Sequence, residues 1–525
     1  MTLDWLYKLS DWNPQFFREV KGRLKPRTLM FTAISSLLAQ ALVLAAFALN
    51  LPDGTQTYHH RCTGTPTGYP ASPSCIMDGF NNPIVNWQGW WMDVFQALSW
   101  TLPFLLLVAG VALLINDLGK EERRGTLNFI RLSPQQSGQI LLGKMLGVPI
   151  VPLLMVALAL PLHLMAAILG HISALEVLGY YLVTIAVGSF FYTASLLYAC
   201  LTGAQGWAGA LLIWISYSFF VQTWYFSRSL QPPLYMPIKQ WFYLPIGENL
   251  GLTLGFVLTT LGIGTFWLWQ AVNRRFRNPS ATLLSKRQSY FATLSVECFL
   301  VGFCFRTTQA GIRPGDLIIL LFLNLLWFGA LGAALLPHRQ ALLDWARYRR
   351  ERISQGRRFW SRSILSDLTW DEKSPALLAI GFNLLIGSAI LTSWILTWNL
   401  TPATILRAVL SLVFGSVFIL LCAAIAQFLL FLPSPKRAVW ATSAVGSLVM
   451  IPPIVFSVLG FAGSSDSVLW LFSVFAVYSL EKVSMLEILF SLVSQFSLLG
   501  LLTARLSRQL RKAGESESKA LLAGA

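Results

Sequence analysis

The recurrence of long apolar runs constrains this chain more than any other feature. Twelve segments approach the roughly 20 residues that a helix needs to cross the hydrocarbon layer of a bilayer. They lie at about 28–50, 97–116, 145–169, 176–202, 206–227 and 249–272, then at 291–309, 316–337, 376–398, 405–432, 439–462 and 484–504. Only 12% of the 525 residues are charged, about half the share found in an ordinary soluble domain, so there is too little polar surface to cover that much apolar core in water. The predicted fold is an all-α, polytopic integral membrane protein of about twelve transmembrane helices in two six-helix halves. A shorter apolar run, 466–480, is expected to re-enter the membrane or lie at its interface.

The formal net charge of +16 would first suggest nucleic acid in a soluble chain. Here 32 of the 39 Lys and Arg residues fall in segments 1–27, 117–144, 273–290, 338–375, 433–438 and 505–525, all on one side of the predicted spans. Basic residues accumulate on the cytoplasmic side of membrane proteins. Both termini are therefore expected in the cytoplasm, membrane lipids are expected partners, and nucleic acid is not. The resulting division is an interfacial helix in 1–27, a six-span unit in 28–272 with a loop at 117–144, and a cytoplasmic linker at 273–290. A second six-span unit follows in 291–504 with a loop at 338–375, then a tail, 505–525. The first 27 residues have no apolar core or small-residue cleavage site, so no cleaved leader is expected.

The segments on the other side differ in kind. Residues 51–96 are rich in Pro, Gly and Thr and end at Trp87, Trp90 and Trp91, rings suited to the headgroup level. Cys62 and Cys75 fall in this outer segment, where an oxidising compartment permits a disulfide. Residues 228–247 hold Pro232, Pro233 and Pro237 beside Tyr235, Trp241 and Tyr243, a pattern that fits a re-entrant, aromatic-anchored loop. The halves also share an order of elements, including an acidic residue, Glu248 or Glu481, after the outer segment that precedes each last span.

Two polar stretches suggest a function. Asn13-Pro14 starts an amphipathic helix with a good cap and a proline at its first position. Phe16, Val20 and Leu24 share one face, and Arg18, Lys21 and Lys25 the other. In the loop after the second span, Thr126 is expected to cap a short helix with Leu127 and Ile130 on one face and Pro134 at its end. Ser133-Pro134-Gln135-Gln136 reads as a capping box that restarts helix at once. Leu127, Phe129, Ile130 and Leu132 are expected at the cytoplasmic surface, with Glu121 and Glu122 offered to a basic socket.

The order Glu121-Glu122-Arg123-Arg124-Gly125-Thr126-Leu127, then Ser133-Pro134, then Leu141-Leu142-Gly143-Lys144 resembles the coupling-helix region of type-2 (ABC-2) permeases of bacterial ABC transporters. The lead-in Asn13-Pro14…Arg18-Glu19-Val20 is similar to the interfacial helix of that family, and the resemblance spans roughly residues 13–272. It implies a multi-pass protein of the bacterial inner membrane and an exporter whose ATP and Mg are bound by a separate ABC ATPase. That subunit would dock at Glu121, Glu122, Arg123, Arg124, Gly125, Thr126, Leu127, Ile130, Ser133 and Pro134. The loop at 338–375 departs from the pattern, since Arg347-Tyr-Arg-Arg-Glu-Arg has no Gly-Thr-Leu element.

The rest of the sequence offers little other chemistry. Gly138…Gly143-Lys144-Met145 comes close to a phosphate-binding P-loop, but Met stands where Ser or Thr should ligate Mg²⁺ and no strand precedes it. Cys298 and Cys304 have no second pair to complete a zinc site. His59-His60 beside Cys62 reads as polar surface, and no catalytic constellation is visible. No cofactor or metal is expected on this chain. Glu297 is an intramembrane carboxylate and therefore a translocation-path candidate, with Glu248 as a second. His163, His171, Asn324, Gln427 and Gln495 are isolated polar residues in or near spans, of the kind that make interhelical hydrogen bonds. The expected function is ABC-exporter permease. The alternatives are a non-transporting membrane subunit that recruits an ATPase and a membrane-embedded lipid-linked transferase.

Overall fold

The computed structural model describes residues 11–53, 59–64, 66–67, 72–80, 82–202, 206–207, 209–211, 213–215, 240–305, 314–354, 363–459, 468–480 and 483–523. Most of the predicted span 206–227 lies outside them, as do Glu481 and most of 228–247. The regular elements among the described residues are α-helices, two short 3₁₀ turns and an antiparallel pair of two-residue strands, Pro66–Thr67 and Ser72–Pro73. Among the described residues ten helices are long and apolar enough to cross a membrane. The predicted span 291–309 is not among them. Its helix runs Lys286–Gly302, 17 residues, or about 26 Å at 1.5 Å per residue, against a hydrocarbon layer of about 30 Å. Large apolar side chains remain exposed on many of these helices, such as Leu42 at 70% and Phe490 at 70%. A soluble surface rarely shows apolar faces of that extent, and the pattern is compatible with a multi-pass membrane protein.

The chain divides into two compact units, Met1–Pro237 with Ile246–Arg277, and Ile238–Pro245 with Asn278–Ala525. In the first, α1 is Pro14–Arg23, α2 Pro26–Leu49, α3 Trp87–Arg123, α4 Thr126–Arg131, α5 Ser137–Gly147, α6 Ile150–Leu169, α7 Ala174–Thr202 and α8 Leu250–Arg277. Asn13 caps α1 by accepting from the Phe16 amide, and Pro14 occupies its first turn. The predicted span 145–169 is broken at Val148-Pro149, where proline supplies no amide to continue the ladder. The core gathers Leu107, Val111, Leu114 and Leu118 of α3 against Leu196 of α7 and Val272 and Phe276 of α8.

At the far end of α3 the structure joins Cys62 to Cys75. Arg61, only 5% exposed, donates to the Phe47 and Asn50 carbonyls at 2.8 and 3.0 Å and pairs with Asp93. The segment between α2 and α3 is thus tied to the end of α2 and the start of α3. His163 is fully buried, with Ser99 Oγ 2.9 Å from one ring nitrogen and the Tyr181 hydroxyl 2.6 Å from the other. His171 ends that region with a positive φ of 53°.

The second unit contains α9 Lys286–Gly302, α10 Pro314–Leu335, α11 Arg339–Ser354, α12 Ser363–Trp370, α13 Leu377–Ile395, α14 Pro402–Phe431, α15 Arg437–Val458 and α16 Met485–Ala523. A capping box of Ser285 and Gln288 starts α9. The apolar run 466–480 forms two short 3₁₀ turns, Val468–Phe472 and Ala476–Tyr478. Gln427 accepts from the Ala376 amide at 3.1 Å, and Gln495 donates to the Leu471 carbonyl at 2.9 Å. These hydrogen bonds tie helices to neighbouring segments, as isolated amide side chains in apolar helices commonly do. The loop 338–375 is largely helical, with α11 packed on α16 through Leu342, Leu343, Leu506 and Leu510.

Candidate functional site

The site begins with the length of α3. Its 37 residues extend about 55 Å, more than the roughly 30 Å of a bilayer's hydrocarbon layer, and its last turns bear Asp117, Glu121, Glu122 and Arg123. The chain then reverses at Gly125, whose φ of 73° is a left-handed conformation that only glycine adopts without strain. Gly125 is the N-cap of α4. Thr126 is instead its first residue, and the Thr126 hydroxyl donates to the Glu121 carbonyl at 3.2 Å. This corrects the expected Thr126 cap. The expected capping box at Ser133-Pro134 is also absent: Ser133 to Gln136 form a bend, and α5 starts at Ser137, whose hydroxyl meets Asn273 Oδ1 at 2.5 Å. The anchor in α8 holds the helix start three residues later than local chemistry alone would set it.

The larger correction concerns the face of α4. Leu127 is 1% exposed and Ile130 8%, both in the core formed by α3, α5, α7 and α8. They are anchors, and no partner can touch them while the fold is intact. Phe129 and Leu132 are the exposed pair, at 80% and 85%. Glu122 and Arg124 are exposed beside them. Arg131 donates to Asn128 at 2.9 Å and stands over the Phe276 ring at 5.5 Å. A six-residue helix therefore displays two bulky apolar groups outward while two others bind it rigidly to the helical bundle.

Glu121 does not face outward. It belongs to a charge cluster that joins α1, α3 and α5 around Lys144. The Lys144 ammonium lies 2.7 Å from Asp117 Oδ2, 2.8 Å from Glu121 Oε2 and 3.5 Å from Glu19 Oε1, and its side chain is 1% exposed. Burial alone would push this amine's pKa down. The three carboxylates, Asp117 foremost, outweigh burial and hold it above the usual lysine value. Arg23 pairs with Asp117 at 2.6 Å and Glu19 at 3.3 Å, and Arg18 with Glu121 at 3.0 Å and Glu19 at 3.3 Å. Three carboxylates thus meet three cations, and the carboxylate oxygens lie within 4.8 Å of one another. Lys144 supplies the central positive charge that such a group of acids requires.

Glycines make this junction possible. A Cβ on Gly143 would sit 2.7 Å from Asn13 Oδ1 and 2.8 Å from the Phe16 amide, and one on Gly147 would sit 2.6 Å from Glu19 Cβ. Helix α1 therefore lies directly on the backbone of α5, burying Asn13, Gln15, Glu19 and Val20. Reading α1 from its apolar stripe found Val20 but missed the polar face. The glycines spaced by four around Lys144 were the available signal, since small residues at that spacing let helices approach closely. The P-loop-like segment is this helix, and its lysine is committed to the cluster.

The other sequence-predicted residues are not among the members of this charge cluster. Glu297 is fully buried in the second unit; Asn324 donates to its Oε2 at 3.4 Å, and its Oε1 faces Gly387. Thr293, Asn383 and Ser289 form an adjoining polar seam, with hydrogen bonds of 2.7 and 2.9 Å. Glu248 is exposed before α8 and is not enclosed by the helices. Arg349 and Arg350 lie on α11 with side chains outside the described residues. No family model, curated protein or solved structure matches the chain.

Proposed function

We propose that this chain is the transmembrane permease component of an ATP-binding-cassette exporter of the type-2 class. In this reading it has twelve spans in two six-helix halves within a bacterial inner membrane, and both termini are cytoplasmic. ATP and Mg are bound by a partner ATPase. The single observation that supports this reading most is the construction of α4. Phe129 and Leu132, at 80% and 85% exposed, form a docking knob, while Leu127 and Ile130 fix that knob to the ends of α3, α5, α7 and α8. Exposed aromatic and aliphatic anchors of this kind dominate interface energies.

Force applied at Phe129 would pass through Leu127 to α3 and through the charge cluster to α1 and α5. ATP-driven closure of the partner would in this way tilt the second and third spans and open an outward path. The apolar spans suit a lipidic or amphiphilic cargo. Affinity purification of the tagged chain from its native membranes, followed by peptide mass spectrometry, tests the assignment. An ABC ATPase in stoichiometric amount is the expected result, and its absence after mild extraction would overturn it.

A further inference from the structure

The elbow between α1 and α2 overhangs a groove of about 540 Å³ in the first unit, a volume within the roughly 300–1,000 Å³ of ligand sites. Its walls are apolar: Leu105, Ala109 and Leu113 of α3 on one side, Val151 and Met155 of α6 on the other. Leu105 to Leu113 spans about 12 Å of helix. The mouth is polar, formed by Arg23, Lys25 and Thr28 beside Gly22, where a Cβ would meet nothing within 4 Å.

The charges near this mouth do not cancel. Glu19, Asp117 and Glu121 are matched by Lys144, Arg23 and Arg18. Lys25 is exposed and has no ion-pair partner among the described residues, and the exposed Arg27 adds a second cation two residues on. Pro26 begins the first apolar span at this point, which sets Lys25 where a span meets the headgroup layer. Lysines at that level attract anionic lipid.

We propose that this groove is a binding site for an anionic phospholipid, with one acyl chain between α3 and α6 and the phosphate at Lys25 and Thr28. The site requires that the chain be embedded in a membrane, and it does not depend on ATPase coupling. A soluble anion would leave the apolar wall empty, and a zwitterionic lipid would gain less from Lys25, because its own ammonium offsets the phosphate charge. Occupancy would wedge the elbow against α3 just below the charge cluster, so the lipid would brace α1 in its seat on α5.

Native mass spectrometry of the full-length chain in detergent, titrated with phosphatidylglycerol or with phosphatidylcholine of the same acyl chains, tests this. Phosphatidylglycerol should bind more tightly. Lys25→Ala should weaken its tightest binding event by about fivefold, the effect of one cation near an anionic headgroup. Ala109→Trp, which fills the groove, should remove that event. Lys436→Ala, an exposed cation of the second unit, should leave it unchanged. Should Ala109→Trp fail to fold, Lys25→Ala decides the matter alone. Equal binding of the two lipids, an unchanged affinity in Lys25→Ala, or displacement of the lipid by inorganic phosphate would each overturn the proposal.

Discussion

Replacing Lys144 by Met removes the cation at the centre of the junction while keeping the side chain's bulk. In the folded protein three carboxylates would then face one another across less than 4.8 Å, with Arg18 and Arg23 left to balance them from the periphery. Removing one partner from a buried ion pair costs about 3–5 kcal/mol, because the surviving charge stays desolvated. Asp117 and Glu121 are about one-fifth exposed, which places the expected loss near the lower end, about 3 kcal/mol. For a unit of this size that corresponds to roughly 6–12 °C in the unfolding midpoint.

The diagnostic step is the double variant. Glu121→Gln should cost stability on its own, yet restore part of the midpoint when added to Lys144→Met, since it removes one of the repelling charges. Thermal unfolding of the purified chain in detergent, run as a full double-mutant cycle, measures this coupling. Additive losses, or a Lys144→Met midpoint within 2 °C of the parent, would refute the idea that the cluster holds α1, α3 and α5 together.

Other outcomes follow from burial and charge. Leu127→Ala should destabilise the first unit by about 2–5 kcal/mol, and Leu127→Asp by more, so both should lower the unfolding midpoint before any partner is added. Lys286 is 2% exposed, and its ammonium donates to the Leu368 carbonyl at 2.6 Å and to Ser374 Oγ at 2.5 Å. Burial, opposed by Asp371 and Asp367, lowers its pKa to about 8 from 10.5. Between those values the unfolded chain binds more protons than the folded one, so stability should rise with pH across that window. The rise, up to about 3 kcal/mol, should be lost in Lys286→Met when midpoints are measured from pH 7.5 to 10. Reporter fusions after residues 275, 360 and 515 should read cytoplasm and one near 65 should read outside; an outside signal at 360 contradicts the topology of the second half.

Much of the helical framework was legible because each cue is local. Long apolar runs and the Asn13-Pro14 start of α1 depend on neighbours in sequence. The junction was less legible because its logic is tertiary. Glu19 and Lys144 are 125 positions apart, and nothing in the local pattern of α1 says that its polar face will press against two glycines of α5. Leu127 and Ile130 were expected at the surface, as apolar residues in a short loop outside the membrane usually require a partner. No local pattern shows that the ends of α3 and α8 build a small core around Phe276 that takes in Leu127 and Ile130. Glu248 and Glu297 look alike in sequence, each a carboxylate at or in an apolar run, yet Glu248 is exposed and Glu297 is buried.

The most direct test of the account is retention of the partner by variants at the exposed pair of α4. Phe129→Asp and Leu132→Asp change side chains that are 80% and 85% exposed, so neither should alter the unfolding midpoint or membrane insertion. Each should weaken co-purification of the ABC ATPase by roughly thirtyfold, the effect of losing an interface anchor of about 2 kcal/mol or more, and should abolish its stimulated hydrolysis. Asp at Leu132 or Phe129 with full ATPase recovery and full hydrolysis would contradict the reading of α4 as the coupling helix.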